Sequence, residues 1–206
     1  MYTPPPFAVE DPDAIAAMIA RARLGVLVTH GPQGLTATHL PFLHDQEGGR
    51  LLAHVARPNP HPAMAGEGEA LVIFPGPEAY VSPGWYPSKA ETGRQVPTWN
   101  YEAVHVHGRL EWFDDRDRLR DLLDRLTATH EAGRPQPWSI ADAPEYVERL
   151  LAGIVGVELT ITRVEAKRKL SQNKPERDRD GVARGLAASP DPRDRALAQL
   201  MERARL

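Results

Sequence analysis

Cysteine is absent from the 206 residues, which excludes disulfides and thiolate metal ligands. A cysteine-free chain suits a reducing compartment, and a cytoplasmic location is the expectation. No apolar run approaches the ~20 residues of a membrane-spanning helix, so no membrane partner is expected. The first residues lack both a basic start and an apolar core, so no signal peptide is expected. There is no glycine-rich phosphate loop, no Gly-x-Ser-x-Gly elbow and no His-Glu-x-x-His pair, and no internal repeat.

What is present is an ordinary globular composition, 41% hydrophobic and 26% charged. A single domain of this size buries ~70% of its unfolded surface. The net charge of −3 hides an asymmetry. Residues 167–206 carry eleven Lys/Arg and six Asp/Glu, and the rest carries fourteen basic and twenty-two acidic residues. The expected organisation is therefore a domain over 1–166 and a basic, helical C-terminal extension over 167–206, packed on that domain or on a partner subunit. A basic tail is a possible nucleic-acid contact, but acids interleave it, as in Glu176-Arg177-Asp178-Arg179-Asp180. A DNA footprint needs a net positive stripe, so direct DNA contact is not supported.

Periodicity predicts a mainly β chain with peripheral helices, in the α+β class. Asp11-Pro12 marks a helix start, and Gly25 is a plausible end. Strands are predicted at 26–29, 35–43 and 51–55, joined by short turns that favour antiparallel pairing. Two more, at 71–74 and 79–82, flank a turn at Pro75-Gly76-Pro77. Residues 83–98 are expected to be a long loop, and such loops are often functional. The longest strand is expected at 103–113, preceded by a loop carrying Trp99, Asn100 and Tyr101. Helices follow at about 114–131 and 144–152, then a last strand over 155–161 and a helical tail.

Two aromatics around a buried amide, beside the start of a strand, are suited to hold a planar heterocycle, which singles out Trp99, Asn100 and Tyr101. Thr38, His39, Leu40 and Pro41 lie on the second strand, where Pro41 removes a ladder donor and implies an edge or a bend. His54, Arg57, Asn59 and His61 surround the end of the third strand. One arginine with amides and hydroxyls nearby suits a phosphate. His105 and His107 share a strand face, but no third ligand stands at a recognisable spacing, so no metal is expected.

Several segments occur in the order of a known family. They are Met1-Tyr2-Thr3-Pro4, Ala37 to Pro41, Asn59-Pro60, Gly76-Pro77 with Ala79 to Ser82, Trp85-Tyr86, Pro97 to Tyr101 with Ala103 to Val106, and Lys169-Leu170-Ser171-Gln172-Asn173. With these the chain resembles the PaiB-type FMN-binding negative transcriptional regulators. The resemblance implies an FMN-binding split β-barrel of antiparallel Greek-key type, FMN as cofactor, and a homodimer. It points to Thr38 to Pro41 for the flavin edge, and to His54, Arg57 and Asn59 for the phosphate. It points also to Lys169 and Gln172 for the phosphate or the neighbouring subunit. The Ser-Arg-Lys phosphate cluster of pyridoxamine phosphate oxidase relatives is replaced here by Arg57-Pro58-Asn59-Pro60. Three functions remain open at this stage: a flavin-binding negative regulator of transcription, an FMN-dependent oxidoreductase acting on a small molecule, and a dimeric barrel with an empty, degenerate site.

Overall fold

The computed structural model describes residues 1–204. Its strands are β1 (Ala8–Val9), β2 (Leu24–Gly31), β3 (Gly34–Pro41), β4 (Leu43–Asp45), β5 (Arg50–Ala56), β6 (Ala70–Val81), β7 (Thr98–Phe113) and β8 (Ile154–Lys169). Its helices are α1 (Pro12–Ala22), α2 (His61–Met64), α3 (Ser88–Thr92), α4 (Arg116–Glu131), α5 (Pro144–Leu151), α6 (Glu176–Ala187) and α7 (Pro192–Arg203). Hydrogen-bonded neighbours follow the order β3-β2-β6-β7-β8-β5-β4, with β1 added on β8. The ladders β1–β8, β2–β3, β2–β6, β4–β5 and β5–β8 are all antiparallel.

The two ends of that order are joined by one residue. β3 pairs with β2 as far as Pro41↔Leu24, and from Leu43 the chain pairs with β5 instead. Proline ends the ladder because it has no N–H to give, and buried Phe42 turns the corner, its ring edge-on to Phe74 at 5.8 Å. The edge expected at Pro41 is found. The sheet is open between β3 and β4, as in a split barrel.

By its contacts the chain forms two compact units. The first holds Met1–Arg21, Pro75–Val104 and the described residues from Glu165 on; the second holds Ala22–Phe74 and His105–Val164. In the second unit, α4 and α5 lay Leu119, Leu122, Leu126 and Leu151 against Leu52 and Phe113. Asp115 caps α4 by accepting from Arg118 N at 2.9 Å. In the first unit, α6 and α7 share a buried apolar cluster with Ala79, Val81, Tyr86 and Leu170.

Several sequence expectations are corrected. Ala70–Val81 form one strand, β6, rather than two around a turn. Pro75 and Pro77 lie beyond the last β2 pair, Val26↔Ile73, so they forfeit no bond of that ladder. β7 begins at Thr98, so Trp99, Asn100 and Tyr101 sit on a strand and not in a loop. β8 reaches Lys169, eight residues past the expected end, and matches β7 at 16 residues. α1 stops at Ala22, before Arg23 with its left-handed φ of 60°, and Gly25 lies inside β2. The loop over 83–98 contains a 3₁₀ turn, Pro83–Trp85, and α3.

Candidate functional site

The sequence candidates fall into two groups, one in each unit. Thr38, His39, Leu40, Pro41, His54, Arg57 and Asn59 belong to the second unit. Along β3 the pleat buries Leu40, half-buries Thr38 and exposes His39. Thr38 is held from behind by His61, which is fully buried. The His61 ring bonds Thr38 Oγ1 through Nδ1 at 2.7 Å and Thr29 Oγ1 through Nε2 at 2.9 Å. One threonine hydroxyl must donate and the other accept, because a neutral imidazole offers one of each. Burial pushes the His61 pKa down, which keeps that neutral ring in place. Asn59 Oδ1 accepts from His61 N at 2.9 Å, and the Trp112 ring lies 5.6 Å from the imidazole.

Arg57 is committed to the backbone. Its Nε donates to the Ala152 carbonyl at 2.7 Å and its Nη2 to Ile154 at 2.9 Å, and Asp114 lies 3.6 Å from Nη1. His54 Nδ1 and Trp112 Nε1 are buried polar atoms with no hydrogen-bond partner among the described residues. Burial lowers the His54 pKa as well.

Trp99, Asn100, Tyr101, Lys169 and Gln172 belong to the first unit. Trp99 is 52% exposed and meets Tyr80 edge-on, with ring centroids 6.1 Å apart. Asn100 is fully buried, and its Nδ2 donates to Ser171 Oγ at 3.0 Å. Tyr101 lies under the Lys167 ammonium, 5.1 Å from Nζ. Gln172 closes a local turn: its Oε1 accepts from Leu170 N at 2.6 Å and its Nε2 donates to the Arg168 carbonyl at 2.5 Å. Ser171 in that turn adopts a left-handed φ of 65°. A non-glycine residue held there costs about 1–3 kcal/mol, so the surrounding bonds must fix it.

This turn forms one wall of a cavity of about 200 Å³ lined by Tyr86, Val96, Thr98, Asn100, Lys169, Ser171, Asn173 and Lys174. Lys169 Nζ donates to Thr98 Oγ1 at 2.6 Å and to the Trp99 carbonyl. Burial, and then the charges of Lys167 and Lys174, lower its pKa. The Tyr86 hydroxyl is buried and has no hydrogen bond of normal geometry among the described residues. Burial raises its pKa, while the neighbouring Ser171 hydroxyl opposes that shift.

The cavity therefore offers two ammonium groups, an unused phenolic O–H and a serine hydroxyl in a confined space. That donor set fits a phosphate, whose several oxygens all accept. The volume is below the ~300–1,000 Å³ of pockets that enclose a whole drug-sized ligand. The residues thus fit the phosphate end of a flavin nucleotide, while its ring would need further walls. Among the site features missed in the sequence were Tyr86, Lys174 and the structural role of His61. Tyr86 lay in a family segment and Lys174 directly follows another, but nothing local placed either beside Asn100.

Residues 1–163 match the model of a family described as "Putative FMN-binding domain". The chain belongs to this family. It is also 32% identical over 207 residues to "Protease synthase and sporulation protein PAI 2" of Bacillus subtilis, covering 98% of this chain and 97% of the relative, which makes the family the PaiB type. An uncharacterized protein of Emericella nidulans is 33% identical over 79% of this chain and 81% of its own length. Among solved structures, a conserved hypothetical protein of Mycobacterium tuberculosis superposes with a TM-score of 0.62 at 13% identity, covering 85% of this chain and 95% of that one. An FAD- and haem-binding protein of Mycobacterium smegmatis gives 0.56 at 17% identity, over 79% and 73%. At these identities the structures establish the fold. Membership of the PaiB-type family makes FMN the cofactor of this split barrel.

Proposed function

We propose that the protein is a homodimeric, cytoplasmic FMN-binding split-barrel protein that lowers transcription of target genes in response to its flavin, without gripping DNA itself. The observation that carries the flavin site is the Lys169–Lys174 cavity with its unused Tyr86 hydroxyl. Lys169, Lys174 and Ser171 hold the phosphate, and Trp99, half-exposed beside Tyr80, lies against the ring. Within the second unit, Thr38 to Pro41, with Thr38 oriented by His61, are a separate candidate for flavin contact. Bound FMN supplies redox chemistry at its ring, and the chain's own residues bind and orient it.

The homodimer is supported by the cavity's small size, since a second copy would add the missing walls to two equivalent sites. Residues 167–206 are read as an extension serving the body over 1–166, because α6 and α7 share their apolar cluster with Ala79, Val81 and Tyr86. Indirect regulation is supported by the pairing of the extension's arginines. Arg168 meets Glu102, Arg177 meets Glu91 and Arg193 meets Asp191, so much of the local positive field is cancelled.

The visible spectrum of the purified protein tests the reading. Oxidised-flavin bands in the wild type, with FMN retention reduced in Lys169→Ala and Lys174→Ala, are expected. A protein that takes up no FMN, or variants that bind it as tightly as wild type, would refute the assigned site.

A further inference from the structure

Both ammonium groups at the first unit's cavity are held by neutral oxygens. Lys169 donates to a hydroxyl and a carbonyl, and Lys174 Nζ donates to Gln95 Oε1 at 2.9 Å. Neither makes an ion pair with a carboxylate among the described residues, whereas Arg177 in the same unit is clamped by both oxygens of Glu91 at 2.6 Å. A carboxylate fixes a cation and cancels its charge; a neutral acceptor only fixes it.

Gln95 is itself anchored. Its Nε2 donates to Ser88 Oγ at 2.8 Å, and Ser88 Oγ donates to Asp178 Oδ2 at 2.6 Å. Ser88 N donates to Asp178 Oδ1 at 3.0 Å. The orientation of the amide is forced. An ammonium can only donate, so the carbonyl oxygen of Gln95 must face Lys174 and its NH₂ must face Ser88. Asp178 is fully buried, which makes this end of the chain of bonds rigid. Burial works to raise its pKa, but the two bonds from Ser88, together with the charges of Arg177 and Lys174, outweigh it and hold the carboxylate below its ordinary range.

We propose that Gln95 is a positioning residue that sets specificity: anchored through Ser88 to Asp178, it holds Lys174 aimed at the cavity without pairing it to a carboxylate, so that the site selects a terminal phosphate monoester over the same compound lacking it. This rests on reading the cavity as the phosphate end of the flavin site. Gln95→Met removes the acceptor in a side chain of similar length. Gln95→Glu keeps an acceptor but neutralises Lys174 and sets a second carboxylate near Asp178.

The test is a titration of full-length wild type and both variants with FMN and with riboflavin, which lacks the phosphate. Wild type is expected to prefer FMN, and each variant to lose about tenfold of FMN affinity, the size of one bond to a charged group, with riboflavin affinity unchanged. Variants that keep the wild-type ratio overturn the role of Gln95 and leave the cavity assignment intact. Equal loss of both flavins marks Gln95 as merely structural and also overturns it. A wild type that does not distinguish the two flavins removes the cavity assignment, and the inference with it. Gln95 is only half-buried, so folding is expected to survive; should the Met variant fail thermal melting, the Glu variant decides.

Discussion

Trp99 shows how exposure separates two roles for one residue. A buried tryptophan truncated to alanine costs about 3–5 kcal/mol of stability. Trp99 is 52% exposed, so Trp99→Ala should cost the free protein well under that, about 0.5–1 kcal/mol. Loss of a ring contact worth about 0.5–1.5 kcal/mol should instead weaken FMN binding by up to about tenfold. Urea unfolding of apoprotein beside a flavin titration checks both; a large stability loss with unchanged affinity would make Trp99 core. Lys169 gives a pH signature. Its folded pKa is lowered, so the ammonium that a phosphate needs persists below that value and is lost as pH rises through it. FMN affinity should therefore fall at alkaline pH sooner than an ordinary lysine would dictate, while riboflavin affinity stays flat. His61 works at the other end. Its pKa is lowered by burial, so the unfolded chain takes the proton more readily than the folded one. Stability should then decline as pH drops below about 6.5, and continue to decline until the folded value is reached. An NMR titration in which the His61 ring protonates at the ordinary value would contradict this.

At the scale of elements, close approach outweighs propensity in α6. Glycine inside a helix is worse than alanine by about 1 kcal/mol, so Gly181→Ala would stabilise an isolated α6. In the folded chain the added methyl would overlap the carbonyl oxygen of Trp85, a backbone atom that cannot swing aside. Overpacking of this kind costs about 1–3 kcal/mol, and the net effect should be a lower Tm with an unchanged denaturant m-value. A higher Tm would show that the 3₁₀ turn at Pro83–Trp85 yields easily. β6 makes the same point for a strand. Pro75-Gly76-Pro77 has the composition of a turn, yet the strand continues. Gly76 lies so close to Glu102 that a side chain there would meet Glu102 Cβ at 2.7 Å, and neither proline falls within the β2 ladder.

At the scale of the whole molecule, the homodimer and the regulatory role make separable claims. Sedimentation at micromolar protein should show a dimer; a monomer with full flavin binding would end that part of the proposal. If the basic cluster Lys167-Arg168-Lys169 gripped DNA, affinity would fall steeply with salt in proportion to the phosphates neutralised. DNA titrations at two salt concentrations, with wild type and Lys169→Ala, should show no such binding. Tight, salt-sensitive binding reduced by the substitution would establish direct contact instead.

The sequence determined the class of the chain and its family, and it named candidates for the site. Alternation gave the mainly antiparallel sheet, Pro41 gave the edge, and the motif order gave the family, because period, proline chemistry and local motifs are properties of neighbouring residues. The strand ends escaped it. β8 continues to Lys169 because β1 pairs with it there, Ala8 with Lys167, and a partner about 160 residues away leaves no local trace. Asn100 and Lys169 were both legible as candidates. That Asn100 would bond Ser171, that Tyr86 and Lys174 would join them around one cavity, and that Gln95 would hold Lys174, was decided only by folding. Chemistry is written in residue types, but a site is a set of distances between residues far apart in the chain, and only tertiary packing fixes those.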